Sequence, residues 1–137
     1  MATLDFRELY RFGDRAPELT DRARDLAGKR GTLVGFMVLL ENPVHGGFYL
    51  SPYPAISDES GAGRGGVPPT AVLVLLSAAG TRPIDFVPGA LEVSGTFELG
   101  TAEKAGEISS VRLIVDDARG IRFARTRTTL KVPAPRG

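Results

Sequence analysis

The side chains of this chain that could do chemistry are few, and each can be weighed on its own spacing. His45 is the one histidine, and with Gly46 and Gly47 it shares the wording of an esterase oxyanion loop. A serine triad would need it as base, with a carboxylate and a serine such as Ser51 or Ser94 brought close by folding. No G-x-S-x-G accompanies it, so the residues read as a solvent-facing turn histidine. Gly61, Gly63 and Gly66 satisfy G-x-G-x-x-G, a pattern that binds pyrophosphate when a strand precedes it and a helix follows. Here SDES precedes and VPP follows, so the run reads as a loop. Asp58-Glu59 and Asp116-Asp117 offer oxygen ligands that suit Mg²⁺ or Ca²⁺. Adjacent carboxylates on extended chain point to opposite faces, which makes these pairs solvated charges rather than a metal site. No cofactor is expected.

Charge gives a second candidate. Residues 1–118 hold 11 basic and 16 acidic side chains, whereas the last nineteen hold six basic and no acidic ones. Arg119, Arg122, Arg125, Arg127 and Lys131 therefore form a positive tail on a negative body, and clustered positive charge concentrates anions. With Phe123 among them, single-stranded nucleic acid is one partner to consider, since such proteins combine a basic groove with aromatic platforms. Folding back onto the acidic body is the other use of the same charges. A third candidate is a protein-binding edge. Phe48, Tyr49 and Tyr53, interleaved with Pro52 and Pro54 and followed by a loop that carries Arg64, offer contact area on a strand that prolines push to an edge.

Composition removes several classes. There is no cysteine, which excludes disulfides, thiol catalysis and sulfur-ligated metals. A length of 137 residues, 42% hydrophobic and 24% charged, is that of one folded domain. No stretch approaches the roughly 18 apolar residues of a membrane span. The first nineteen residues carry four acidic side chains and no unbroken apolar run. They do not read as a signal peptide, so the expected location is cytoplasmic, or periplasmic if the chain is a trimmed form.

The elements that must position these side chains follow from periodicity and punctuation. Asp5–Phe12 predicts a short amphipathic turn with a capping-box spacing at Asp5 and Glu8, and Pro17–Ala27 predicts a helix closed by Gly28. Thr32–Leu40 is the longest uncharged apolar run of this region and predicts a buried strand, bent at Gly35. Phe48–Tyr53 and Ala71–Leu76 predict the next two strands. Ala55–Pro69 between them is a Gly- and Pro-rich loop. Leu91–Leu99 alternates apolar and polar residues with a period of two, with a turn expected at Gly100–Gly106. Ser109–Val115, with Arg112 outward, and Ile121–Ala124 complete the pattern. The expected fold is a mostly β, small antiparallel barrel of five to six strands, OB-like. In that organisation residues 1–30 form a helical segment packed on the barrel, residues 31–126 the barrel, and residues 127–137 a basic tail.

The succession LDFRELY, LAGKRGTLVGFMVLLE, FYLSPYPA and LEVSGTFELG resembles a bacterial family of unknown function, often exported or lipid-anchored. Its members have a GFMVPLE-like first strand, an FLLVPY-like second strand and a proline-rich loop with cysteine and histidine. Leu33–Glu41, Phe48–Pro54 and VPPTAVLV at Val67–Val74 correspond. The resemblance covers roughly residues 4–118 and implies accessory work, beside a transporter or in an envelope assembly. The loop here has neither cysteine nor histidine, so no metal role is carried over. The resulting expectation is a non-enzymatic interaction or accessory module with an unknown protein partner, which uses the second strand (Phe48, Tyr49, Tyr53) and the loop with Arg64. The alternative is a single-strand nucleic-acid binder that uses the C-terminal arginines.

Overall fold

Asp5 opens the first helix. Its carboxylate accepts a hydrogen bond from the Arg7 amide at 2.9 Å, satisfying one of the donors that a helix start leaves without a partner. In this computed structural model, which describes residues 3–11, 17–57 and 67–124, strand β1 (Thr3–Leu4) leads into helix α1 (Phe6–Leu9), then strand β2 (Tyr10–Arg11). Strand β3 (Glu18–Leu19) pairs antiparallel with β2. The helix expected over Pro17–Ala27 is shorter, α2 at Asp21–Asp25. Thr20 is its cap: the hydroxyl accepts from the Ala23 amide at 3.1 Å and donates to the Glu8 carbonyl at 2.6 Å. Glu18 and Leu19 are taken by strand pairing, so the helix cannot begin at Pro17.

The remaining elements are strands joined by turns. They are β4 (Arg30–Met37), β5 (Leu39–Leu40), β6 (Gly47–Ser51), β7 (Ile56–Ser57), β8 (Val72–Leu76), β9 (Ala90–Lys104), β10 (Glu107–Val115) and β11 (Ile121–Phe123). The expected strand Thr32–Leu40 is thus broken after Met37. Val38 donates to the Tyr49 carbonyl, and β5 leaves the main sheet to pair with β7.

The main sheet has seven strands in the order β1-β4-β6-β8-β10-β9-β11, and a further pairing joins β4 to β9. Five strands (β4, β6, β8, β10 and β9) are therefore each paired on both sides, and the sheet closes on itself. Its mostly β character agrees with the pattern of the sequence, but the expectation of an antiparallel sheet is corrected. The pairings of β1 with β4, β5 with β7 and β8 with β10 are parallel. The β8–β10 pair is possible without a crossover helix because β9 lies in the connection, which supplies the dozen or more residues a parallel return requires.

Alternation along β9 works as read: Leu91, Val93 and Phe97 are fully buried in the main core with Leu33, Leu113 and Ile121, each such burial contributing about 1.5–3 kcal/mol. The segment before β4 is part of that core through Leu4, Phe6, Leu9, Tyr10 and Ala23. A second, smaller cluster gathers Val38, Val44, Tyr49 and Leu73. The turn expected at Gly100–Gly106 is only two residues long, Ala105 and Gly106, both at positive φ (55° and 79°), as a tight hairpin between twisted strands demands. At Gly35 a Cβ would lie 2.7 Å from both Phe6 Cε2 and the Ser51 carbonyl oxygen. Close approach is what excludes a side chain there.

Candidate functional site

The parallel ladder between β8 and β10 starts late. It runs from Leu73 opposite Arg112 to Leu76 opposite Val115. Carried upstream in the same register, it would place Ala71 opposite Ser110, Pro69 opposite Ile108 and Pro68 opposite Glu107. Proline has no amide hydrogen and cannot donate to a ladder, so Pro68 and Pro69 stop the pairing. The other side of β10 is irregular here as well: between Ser109–Ala102 and Val111–Leu99, β10 advances two residues while β9 advances three. That bulge contains Gly100, at φ +107°. Between the two backbones lies a groove of about 810 Å³, bordered by Val67–Pro69 and Ala71 on one side and by Gly106–Val111 on the other.

The hairpin geometry fixes which backbone groups face the groove. Lys104 and Glu107 flank the two-residue turn and pair with each other, and the next pair is Glu103 with Ile108. Residues opposite one another alternate between exchanging both hydrogen bonds and exchanging none. Glu107 is thus bonded to β9, and the N–H and C=O of Ile108 point away from it, toward the groove. Among the described residues no strand pairs with β10 on this side before Arg112. The Ile108 side chain is 74% exposed.

Tyr49, Tyr10 and Asn42 also line the groove. The Tyr49 hydroxyl donates to Glu107 Oε1 at 2.9 Å. Burial pushes the Tyr10 hydroxyl up to about 12, so it stays protonated and uncharged at neutral pH. Arg112, expected to point outward, is instead 3% exposed. Its guanidinium donates to Glu98 Oε1 (3.0 Å), to the carbonyls of Ser109 (2.8 Å) and Gly100 (2.9 Å), and to the Ser109 hydroxyl (3.1 Å). It closes the bulge from both strands and holds the groove's β10 wall.

The residues singled out from the sequence fall at several places. Phe48 and Tyr49 are 3% and 6% exposed, because β6 is covered on both faces: Phe48 packs into the main core and Tyr49 into the smaller cluster. Neither forms an exposed edge, although Tyr49 reaches the groove. Tyr53 is exposed and is not among the groove's lining residues. Arg64, Asp58, Glu59 and the glycine run at 61–66 lie outside the described residues, as do Arg125, Arg127 and Lys131.

Arg119 pairs with Asp117 at 3.1 Å and Arg122 with the buried Glu92 at 3.3 Å. Of the two uses considered for the tail, these two residues are turned onto the acidic body. The Arg119 guanidinium, hydrogen-bonded to Asp117, holds that carboxyl below the usual range. Asp116 reaches Arg30 at 3.5 Å. His45 is exposed and bridges to Pro83. The Ser51 hydroxyl donates to the Tyr53 carbonyl and the Ser94 hydroxyl bonds Thr32. No group of three histidine, aspartate or glutamate side chains among the described residues could hold a metal ion, and no described helix is long and apolar enough to cross a membrane.

Sequence reasoning missed Glu107, Ile108 and Arg112. The available signal was Pro68-Pro69 directly before an apolar strand: a strand that cannot extend its ladder leaves its neighbour's edge open.

The chain is similar in fold to a DUF3299 family protein. That protein, from Pseudomonas aeruginosa PAO1, is 18% identical, and the match covers 96% of this chain and 97% of the other with a TM-score of 0.52. At this identity the likeness is one of fold. It is consistent with the resemblance to a bacterial family of unknown function. No protein-family model and no curated protein matches the sequence.

Proposed function

We propose that this chain is an OB-like barrel that serves as a non-enzymatic interaction module, with its partner seated in the groove between residues 67–71 and β10. The barrel reading is supported by the pairing cycle β4–β6–β8–β10–β9–β4, with one parallel step between the third and fifth strands of the ring in chain order. One observation carries the functional reading: the groove runs along a stretch of β10 that has no strand neighbour among the described residues. Unpaired edges are what proteins ordinarily cover or blunt. The non-enzymatic part is supported by the partners these residues do have: Ser51 donates to the Tyr53 carbonyl, Ser94 bonds Thr32, and His45 bridges to Pro83. The Phe48–Tyr53 edge is replaced by a surface to which Tyr49 and the end of the proline loop both contribute.

A photoreactive benzoylphenylalanine in place of Ser110, inside the groove, compared with one at the exposed Glu18, tests this in the native cell. The expected result is a discrete protein adduct from position 110 and none from position 18. An absence of adducts at 110, or the same adducts from both positions, contradicts the reading.

A further inference from the structure

We propose that the pocket between the end of β4 and the segment Pro83–Phe86 is a small-molecule site for an apolar amine, a compound with one ring or branched chain that carries an ammonium group. The site goes beyond the interaction reading above and shares no lining residue with the groove.

The pocket exists because two stretches of backbone part there. Beyond Met37 the chain turns out of the main sheet, and β5 pairs with β7. Across from it, His45 bridges to Pro83, and the Gly46 amide donates to the Arg82 carbonyl at 2.9 Å. Pro43 and Pro83 have no amide hydrogen with which to extend that pairing. The opening has a volume of about 190 Å³. That suits a single ring, since a cavity of about 150 Å³ lined by leucine, isoleucine and phenylalanine takes benzene. Met37, Val38, Val44, Phe48 and Ile84 are buried and form its floor, while Leu39 and Phe86 are exposed at its mouth. An apolar group laid on that floor leaves water and covers apolar surface at once.

The charge preference is set at the mouth. Asp85 is exposed and is the one charged side chain among the described lining residues. Its carboxylate has no hydrogen-bond or ion-pair partner among the described residues. Arg82, the nearest arginine in sequence, donates instead to the carbonyls of Ala79 and Ala78 at 3.3 and 3.4 Å. Phe86, next to Asp85, brings an aromatic ring to the same opening. A carboxylate and an aromatic face both favour an ammonium group, whereas an acid of the same shape meets unopposed negative charge.

Three probes test both parts on the full chain by amide chemical-shift titration: 2-phenylethylamine, 3-phenylpropanoate and ethylamine. The first is expected to bind saturably and to shift resonances of 37–48 and 83–86 while those of 106–111 stay in place. The second has the ring with the opposite charge and the third has the charge without the ring, and each is expected to bind about tenfold more weakly. Asp85→Asn is expected to lower affinity for 2-phenylethylamine about fivefold, the upper end for an exposed ion pair, with the melting temperature unchanged. Leu39→Trp, which puts a larger side chain at the mouth, is expected to weaken the same binding about tenfold with a native circular dichroism spectrum. Equal affinity for 3-phenylpropanoate, or unchanged affinity in Asp85→Asn, overturns the choice of an amine. Equal affinity for ethylamine, or unchanged affinity in Leu39→Trp, overturns the apolar pocket as its seat. No saturable shift with any probe, or shifts away from 37–48 and 83–86, overturns the site itself. The crosslink at position 110 reads a different surface, so the interaction module stands or falls apart from these results.

Discussion

Gly95→Ala is expected to unfold much of the protein at temperatures the parent survives. On β9, Gly95 is the point where one neighbour gives way to another: Thr96 is paired with Ile114 of β10, and Val93 with Ile121 of β11. On its other side Gly95 faces Gly31 of β4. A Cβ there would lie 2.3 Å from the Ile114 carbonyl oxygen and 2.9 Å from its carbon. Both are backbone atoms in a paired strand, so no side-chain rotation relieves the overlap. Overpacking against a flexible neighbour costs about 1–3 kcal/mol, and against fixed backbone the upper end or beyond applies. At about 3 kcal/mol the melting temperature falls by roughly 10 °C in a domain of this size. Circular dichroism melts of the two proteins check it, and a shift of under about 2 °C contradicts the closed packing of β9 against β10.

Arg112→Met should have the second large effect, on both stability and the groove. Methionine keeps the aliphatic bulk but leaves the carbonyls of Gly100 and Ser109 without their donor. Gly100 is exposed and Ser109 half-buried, so water reaches these acceptors and each lost bond costs about 0.5–1.5 kcal/mol. Glu98 adds less, because its side chain is partly exposed and has Lys104 at 3.8 Å as a second neighbour. The expected loss is about 2 kcal/mol by urea denaturation. The same variant should alter the amide resonances of residues 99–111, where Arg112 spans the bulge. A loss below about 0.5 kcal/mol would show that the guanidinium is not a structural tie.

Much of the fold was legible because core-facing strands carry their own signal. The period of two in Leu91–Leu99 and the apolar run Ala71–Leu76 located β9 and β8 to within a few residues, and Gly28 closed the helical region as expected. What periodicity could not supply was partner choice. A continuous apolar run such as Val72–Leu76 is compatible with parallel or antiparallel neighbours, and only the threading of β9 between β8 and β10 decides between them. The second helix is shorter than Pro17 suggests because Thr20 competes with it as a start, and Glu18-Leu19 pairs with Tyr10-Arg11.

At the site, aromatic residues beside prolines suggest exposed contact area. Phe48 and Tyr49 are instead covered, since β6 has core on both faces. Alternation points Arg112 outward, which holds only while the ladder is regular. The bulge at Gly100 and Ser109 turns its side chain back over the backbone. The groove was half visible, in Pro68-Pro69; its other half depends on which strand lies opposite, and no local pattern encodes that.

Among the described residues, β10 is bonded to β9 at Glu107 and Ser109 and has no strand neighbour toward the groove at Ile108. Residue-resolved amide hydrogen exchange on the free protein tests this most directly. The amides of Glu107 and Ser109 are expected to be protected and the Ile108 amide between them to exchange on the order of a hundredfold faster, whereas Leu113 and Ile114, paired on both sides, are slow throughout. Protection of Ile108 equal to that of its two neighbours would contradict it, because the edge would then already be paired.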